Sequence, residues 1–569
     1  MLISDSNRQS ENDMKQISKI AAIALSAMSL VACDFLDFDQ STGFDDQRDV
    51  YEAWARAEQS LTNVYSYLDA DFGSIGNAMR DCATDDAHYV WSESSVHNFS
   101  NGKWSALNTI DAVWNNYYTA IRAANQFIKN FEEMDYTKYE WTSDYQTWLD
   151  KSQYWVSEAR FLRSWFLFEL ARRYGDIPLA KDIYTMDNVN NLPKTPFADV
   201  IDYIVTECSE IAKILPDDFS KVSGAQTGRA TKGAALALKS RALLYAASPL
   251  FSENDPDKWI AAAKAAKEVM DLNVYQLVDE ESVNNLSSKE LIFERRMASS
   301  CDFEKKNFPI SFDGGNTGTC PSQELVDAFQ TTKGYDVTLT ENGWECNDPS
   351  FDPKYPYANR DKRFYKTVIY DGAIFKGKEI ACYEGGAEGQ PVVGASETGY
   401  YLKKYIMEDV DLSPVERPMI HTWVLMRYAE VVMNYAEAMN QAFGPDGGDG
   451  ELSMTAREAL NLIRTRASMP DVPVTITTTA DFQKFLEREK RVEFAMEGHR
   501  FWDVRRWKIA GDTQGTVSGV RIVRNPDDTK HYSRVTVEMR TWENKKYLYP
   551  IPMTELYKNN NLYPQNPGW

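Results

Sequence analysis

The sequence predicts a mainly α-helical protein, a stack of helical hairpins that carries an irregular, loop-rich part. Apolar residues recur at three- and four-residue steps in segments on both sides of the chain's middle, the signature of one-faced helices. The middle is instead punctuated by glycine, proline and asparagine, as turns are. With 43% hydrophobic and 26% charged residues over 569 positions, the chain has the balance of a globular protein with a sizeable core.

In chain order, Val50, Trp54, Ala57, Leu61, Val64 and Leu68 give the first segment one apolar face. Trp155, Ala159, Leu162, Phe166 and Leu170 do the same, and that helix should stop near Gly175, before Pro178. Phe197, Ile201, Ile204, Cys208, Ile211 and Leu215 repeat the pattern. Over 231–247 the small residues Ala234, Ala235, Ala237 and Ala242 permit close helix approach, and Ser248-Pro249 ends the run. Residues 259–270 form a further candidate. Late in the chain Leu425, Tyr428, Val432, Tyr435 and Met439 define a stripe, followed by helices over 456–467 and 482–496. In the last of these Glu487 and Arg491 are spaced to pair on the wet side. Short connections between such helices predict stacked hairpins, each burying its apolar face on the next.

Residues 271–420 contain 313–318 (DGGNTG), 352–357 (DPKYPY) and Gly385-Gly386, all turn-prone. They read as long loops and short strands laid over the helical body, where recognition usually sits. Residues 444–450 form another surface loop, and the aromatic- and proline-rich 542–569 should run extended along the helices. The layout is therefore a helical part over 50–270, a loop-rich recognition part over 271–420, and a C-terminal part over 421–569 that joins the first helical part in one body.

The amino end reads as a secretory signal. MKQIS and Lys19 supply a basic start over 14–19, and 20–32 (IAAIALSAMSLVA) is a short apolar run that ends in small residues. Residues 1–13 are polar and look like an upstream extension. Leu30-Val31-Ala32-Cys33 has the form of a lipobox, which makes Cys33 the expected lipidated residue and 33–49 a tether; acyl chains anchor by burying their methylene groups. The alternative is an ordinary cysteine after a plain signal peptide. No later segment is long and apolar enough to suggest a span.

The formal net charge of -22 opposes binding to a phosphate backbone and to anionic lipid heads, but not to a neutral, hydroxyl-rich ligand. After Cys33 the cysteines are Cys82, Cys208, Cys301, Cys320, Cys346 and Cys382, too sparse for a disulfide scaffold. One bridge among the last four, or free thiols throughout, are both compatible with the spacing.

No zinc-protease helix, nucleophile elbow or phosphate loop occurs, and 313–318 lacks the Lys-Ser/Thr that a phosphate loop needs. His88 and His97 could meet in space, but no histidine pair has close ligand spacing, so no cofactor or metal is expected. A glycosidase's two carboxylates come from separated positions in the fold, so the lack of a local pair weakens an enzyme reading without eliminating it.

The positive signal is aromatic: 15 Trp, 31 Tyr and 26 Phe, many in polar surroundings. A sugar ring can stack its apolar face on such a plane while its hydroxyls bond to polar groups at the rim. The best local candidate combines Arg80, Asp85, His88, Tyr89 and Trp91 with Asn98 and Asn101. Trp91 has two readings, a ligand platform or a loop anchor. Trp104, at the start of the next helical segment, should be buried. In the middle region Phe308, Trp344 and Tyr383 are further candidates, Trp344 because Asn342-Gly343 marks a turn that would expose it; loop packing is the default for each.

Several runs resemble the SusD/RagB family of Bacteroidetes outer-membrane lipoproteins. They are RALLYAASPL over 241–250, YAEVVMNYAEA over 428–438, LNLIRTRA over 460–467, EREKRVEFAMEGHRFWDVRRW over 487–507, and the tail from YPIP at 549–552 to LYPQNPGW at 562–569. These runs stand in family order, from the lipobox to the last residue. The resemblance implies tetratricopeptide-like helix pairs supporting a loop-rich part, lipid-anchored at the outer membrane and facing outward. It implies a SusC-like TonB-dependent porin as partner, other surface glycan-binding lipoproteins nearby, and a neutral oligo- or polysaccharide as ligand, bound without catalysis. A peptide receptor, a mainly structural lid for the porin and, more remotely, an extracellular glycosidase are the alternatives. Within the family motifs, Arg241, Glu430, Glu437, Arg464, Arg466, Glu493, Glu497, His499, Arg500, Asp503, Arg505 and Arg506 read as buried ion pairing around a helix end rather than as a catalytic cluster.

Overall fold

The computed structural model describes residues 48–70, 72–279 and 287–569. The expected signal segment, Cys33 and most of the tether lie outside the described residues.

Ten main helices carry the molecule. They are α1 (Trp54–Tyr65), α2 (Trp114–Glu132), α3 (Trp155–Tyr174), α4 (Phe197–Ile211), α5 (Lys232–Ala247) and α6 (Pro256–Met270). After the middle region come α7 (Tyr428–Phe443), α8 (Ala456–Arg466), α9 (Thr479–Glu493) and α10 (His499–Arg506). Local chemistry sets their ends. The side chains of Thr231, Asp255 and Thr478 accept from backbone amides that α5, α6 and α9 would otherwise leave unpaired, and Thr455 with Glu458 forms a capping box on α8. Gly175, with φ of 71°, ends α3 in a conformation a side chain would resist.

From α2 to α6 each helix packs on the next in sequence, and α6 packs on α7 across an intervening stretch of about 160 residues. The stack therefore continues through the middle region as though that region were an insertion. Helices α3 and α5 are buried nearly all round and form the central layer, which is why their apolar residues are less strictly one-sided than those of α1, α2 and α4.

The middle region is held by short antiparallel ribbons. Among the described residues the strands of three residues or more are, in chain order, β1 (Ala87–Tyr89), β2 (Leu291–Arg296), β3 (Thr319–Pro321), β4 (Val337–Thr340), β5 (Gly343–Cys346), β6 (Thr422–Arg427), β7 (Thr516–Arg524) and β8 (Lys530–Met539). β2 pairs with β6, so residues 297–421 are a long excursion closed on a two-stranded stalk. β1 pairs with β3, and β7 with β8.

Three expectations are corrected and one element is new. Leu425 lies on β6 rather than on a helix, because the stalk pairing holds the chain extended up to Arg427 and α7 starts at Tyr428. The helix expected near Trp104 begins ten residues later; Trp104 is buried against Tyr549 and Trp569, which the tail brings back over it. The β7–β8 hairpin had no counterpart in the periodicity reading. Glu487 and Arg491 do not pair with each other, since Arg491 turns to Asp86 at 2.5 Å and Asp85 at 3.2 Å while Glu487 accepts from Gln483. The six cysteines from Cys82 to Cys382 are all free thiols.

Candidate functional site

The register of the β1–β3 ribbon builds the surface on which the candidate residues meet. His88 faces Cys320 and Tyr89 faces Thr319, and the amide of Val90 donates to Gly318. Trp91, two residues past β1, is thereby brought beside Asn316, and its indole N–H donates to the Asn316 carbonyl at 2.8 Å. The Trp91 carbonyl lies 3.1 Å from Nε2 of His97. Its ring packs on Gly394, where a Cβ would fall 3.1 Å from the indole and 3.1 Å from Ile310. An indole gripped at its N–H, carbonyl and ring edge, yet still half-exposed, is a fixed plane at low entropic cost.

Hydrogen-bonding groups flank it. Asn98 is half-exposed and Asn101 exposed, with Asn101 donating to the Asn98 Oδ1 at 3.1 Å. On the other side Asn316 is exposed, and Val393 is 84% exposed beside Gly394. Tyr383, half-exposed, opens the loop that ends in this contact. Its hydroxyl accepts from Arg524 at 3.0 Å, and the guanidinium of Arg524 lies 5.1 Å from its ring centre. The amide of Glu384 donates to Ile522, which fixes that end of the loop to β7. Residues 383–399 thus run from one half-exposed ring to another.

The remaining candidates lie inside, and the expectation of open rings or free polar groups is corrected for them. Trp344 is 8% exposed, because the β4–β5 turn folds its ring edge-on to Tyr357 and Tyr532 rather than outward. Phe308 is buried against Phe312 and Phe375, and Tyr89 is buried at the end of β1. Arg80 is buried over Phe501 and Trp502, with Asp111 at 2.5 Å. Asp85 is buried between Arg500, Arg491 and Gln514. Although burial raises its pKa, Arg491 and Arg500 outweigh that and hold its carboxyl well below the usual range. His88 is buried between two carboxylates, 5.7 Å from the His97 ring centre. Among the described residues no group of three or more His, Cys, Asp or Glu could hold a metal ion.

The family-motif residues form a buried network. Arg241 meets Glu430 through two contacts of 2.6 Å, and Arg506 meets Glu437 at 2.5 and 2.7 Å and Asp503 at 2.8 Å. Glu493 gathers Arg466, Arg427 at 2.7 Å and Arg363 at 3.0 Å; Arg427 also holds Glu497 at 2.9 Å, and Arg464 holds Glu489 at 2.5 Å. Burial pushes His499 down to about 3, leaving it neutral, and brings Arg505, stacked 3.5 Å over Phe501, down to about 10. The cavity within this network, lined by Arg80, Glu430 and His499, has about 80 Å³, room for water rather than for a sugar ring. A larger groove of about 450 Å³ lies on the helical side, lined by Trp114, Tyr118, Tyr184, Met186 and Leu562. Apart from Leu562 in the family tail, none of those residues had a local sequence signal.

The molecule is thus a helical stack with an inserted, loop-rich region that carries partly exposed rings, and its family-motif charges are locked into a buried network. The chain belongs to the SusD family. The model described as SusD family matches residues 289–569, and one described as starch-binding associating with outer membrane matches 34–244. Among curated relatives, SusD-like protein P2 of Formosa agariphila is 24% identical over 495 residues, 83% of each chain, and SusD-like protein P38 of the same organism is 24% identical over 539, covering 89% of this chain and 94% of its own. A SusD-like protein from Bacteroides fragilis superposes with a TM-score of 0.76 at 27% identity, covering 92% of this chain and 98% of the other. A SusD-like carbohydrate-binding protein from the same species does so with a TM-score of 0.71 at 26% identity, covering 90% and 99%.

Proposed function

We propose that the protein is a non-catalytic, lipid-anchored receptor of the outer membrane that binds a neutral oligo- or polysaccharide and passes it to a SusC-like TonB-dependent porin. Trp91 carries the reading: a half-exposed indole immobilised at three points, with the amides of Asn98 and Asn101 on the same turn, suits a stacked sugar ring and its hydroxyls. Tyr383 is the second plane, joined to the first by residues 383–399. Support comes from the starch-binding description of the matched family model and from the carbohydrate-binding neighbour. The helix stack is proposed to be of the tetratricopeptide-like kind, and Cys33 to carry the acyl chains. No helix among the described residues is long and apolar enough to cross a membrane.

The test is an affinity-gel screen of soluble protein lacking residues 1–33 against neutral polysaccharides, with Trp91→Ala and Tyr184→Ala compared. Retardation by at least one polysaccharide that Trp91→Ala abolishes and Tyr184→Ala preserves is the expected result. Retardation lost only in Tyr184→Ala would move the site to the helical groove, and release of new reducing ends would defeat the non-catalytic reading.

A further inference from the structure

His88 joins two carboxylates from distant parts of the chain. Its Nδ1 lies 3.1 Å from Glu538 on β8, and its Nε2 lies 3.3 Å from Glu397 on the 383–399 loop. Only the imidazolium can donate from both nitrogens; the neutral ring donates from one and presents a lone pair at the other. We propose that His88 is a positioning residue, a proton-operated clamp that ties the 383–399 loop to the β1–β3 ribbon and so holds that loop against Trp91. Its effect on ligand binding rests on the receptor reading above, whereas the clamp itself does not.

The two carboxylates are unequal. Glu538 also accepts from Arg540 at 2.8 Å and from Ser100 at 3.2 Å. Glu397 has a side chain 50% exposed, and its carboxylate pairs with His88. When the ring loses a proton, the well-supported Glu538 keeps the remaining N–H and Glu397 is the one released. Glu397 lies three residues from Gly394, the residue under the Trp91 ring, so its release loosens the packing of that ring directly.

The charged and titratable groups that face His88 are Glu538 on β8 and Arg540 just beyond it, Glu397 from the loop, His97 from the turn after Trp91, and Cys320 opposite it on β3, whose thiol burial keeps neutral by pushing it up to about 12. Burial works against the His88 charge, but hydrogen bonds and proximity to Glu397 and Glu538 raise its pKa overall. His97 is shifted the other way, by burial first, and so adds no competing cation at neutral pH. With a folded-state value above the unfolded one, the clamp is complete at mildly acidic pH and is lost as pH rises through the raised value.

Hydrogen exchange of the full mature protein tests this without any ligand. Protection factors for peptides covering 391–399, with intrinsic exchange rates divided out, are compared at about pH 6 and about pH 9 in the wild type, His88→Gln and Glu397→Gln. The wild type is expected to lose roughly threefold to tenfold of its protection at the higher pH, the worth of one ordinary hydrogen bond, as suits a carboxylate half open to solvent. Both variants are expected to be equally loose at both pH values. Glu397→Gln alters a half-exposed side chain, so it remains informative if His88→Gln does not fold. Equal wild-type protection at the two pH values, or a pH response retained in Glu397→Gln, would overturn the clamp. Loss of the polysaccharide interaction with the pH response intact would instead count against the receptor reading alone.

Discussion

Arg500 grips Asp85 through two hydrogen bonds of 2.8 and 2.9 Å, tying the start of α10 to the segment just before β1 across 415 residues. The ribbon that presents Trp91 is thus fastened to the body by the motif that carries the family resemblance. Ser322 reinforces the joint by donating to the Asp85 carbonyl at 2.5 Å.

Asp85→Asn should therefore act on stability. It leaves Arg500 and Arg491 facing each other with one buried carboxylate fewer, which typically costs about 3–5 kcal/mol. Urea denaturation is expected to show that loss, with polysaccharide affinity of the folded fraction unchanged. Affinity lost at wild-type stability would restore Asp85 as a ligand contact.

Trp91 and Trp344 should separate in the same pair of assays. Trp344→Ala empties a buried site beside Tyr357 and Tyr532 and is expected to cost about 3–5 kcal/mol of stability. Trp91→Ala removes a half-exposed ring and should cost far less stability while abolishing retardation in the gel. The opposite pattern would exchange their roles.

Gly394→Ala tests the seat under the indole. At φ of 80° an added Cβ is strained by about 1–2 kcal/mol and would sit 3.1 Å from both Trp91 and Ile310. Affinity is expected to fall severalfold with the helical core unaffected, as near-unchanged far-UV circular dichroism would show. An unaltered affinity would mean that the ring's position does not matter to binding.

Acid should unfold the network from Glu437. Burial alone would raise its pKa, yet Arg506 and Lys490 overcome that and hold it down to about 2. The folded value lies below the unfolded one, so the stabilisation is fully present above about pH 4.5 and drains away as pH falls toward 2. Glu437→Gln should flatten the pH dependence of stability in that window by about 3 kcal/mol. A wild-type slope in the variant would place the acid sensitivity elsewhere.

The helices were legible because their cause is local. The apolar steps from Phe197 to Ile211 and the caps at Thr231 and Thr455 act within a few residues, so α4, α5 and α8 could be read before any fold was known. For α2 no apolar stripe was legible and its start was set ten residues early, because its apolar face is broken by asparagines such as Asn125, which is buried and donates to the carbonyls of Ala180 and Asp182. The aromatic candidates were legible as a set and not one by one. An exposed ring and a buried ring have the same local sequence.

What the chain order settled by itself is the helical stack, the turn-rich interruption and the charged motifs, since periodicity, turn chemistry and residue type are properties of neighbours along the chain. Tertiary structure alone decided which ring faces water and which ion has which partner. Trp91 stays at the surface because Gly318 and Asn316 come to it across a ribbon, Trp344 goes inside because Tyr357 and Tyr532 close over it, and His88 acquires Glu397 and Glu538 from more than 300 residues away. Burial and electrostatic pairing depend on distances in space, and no local pattern encodes them.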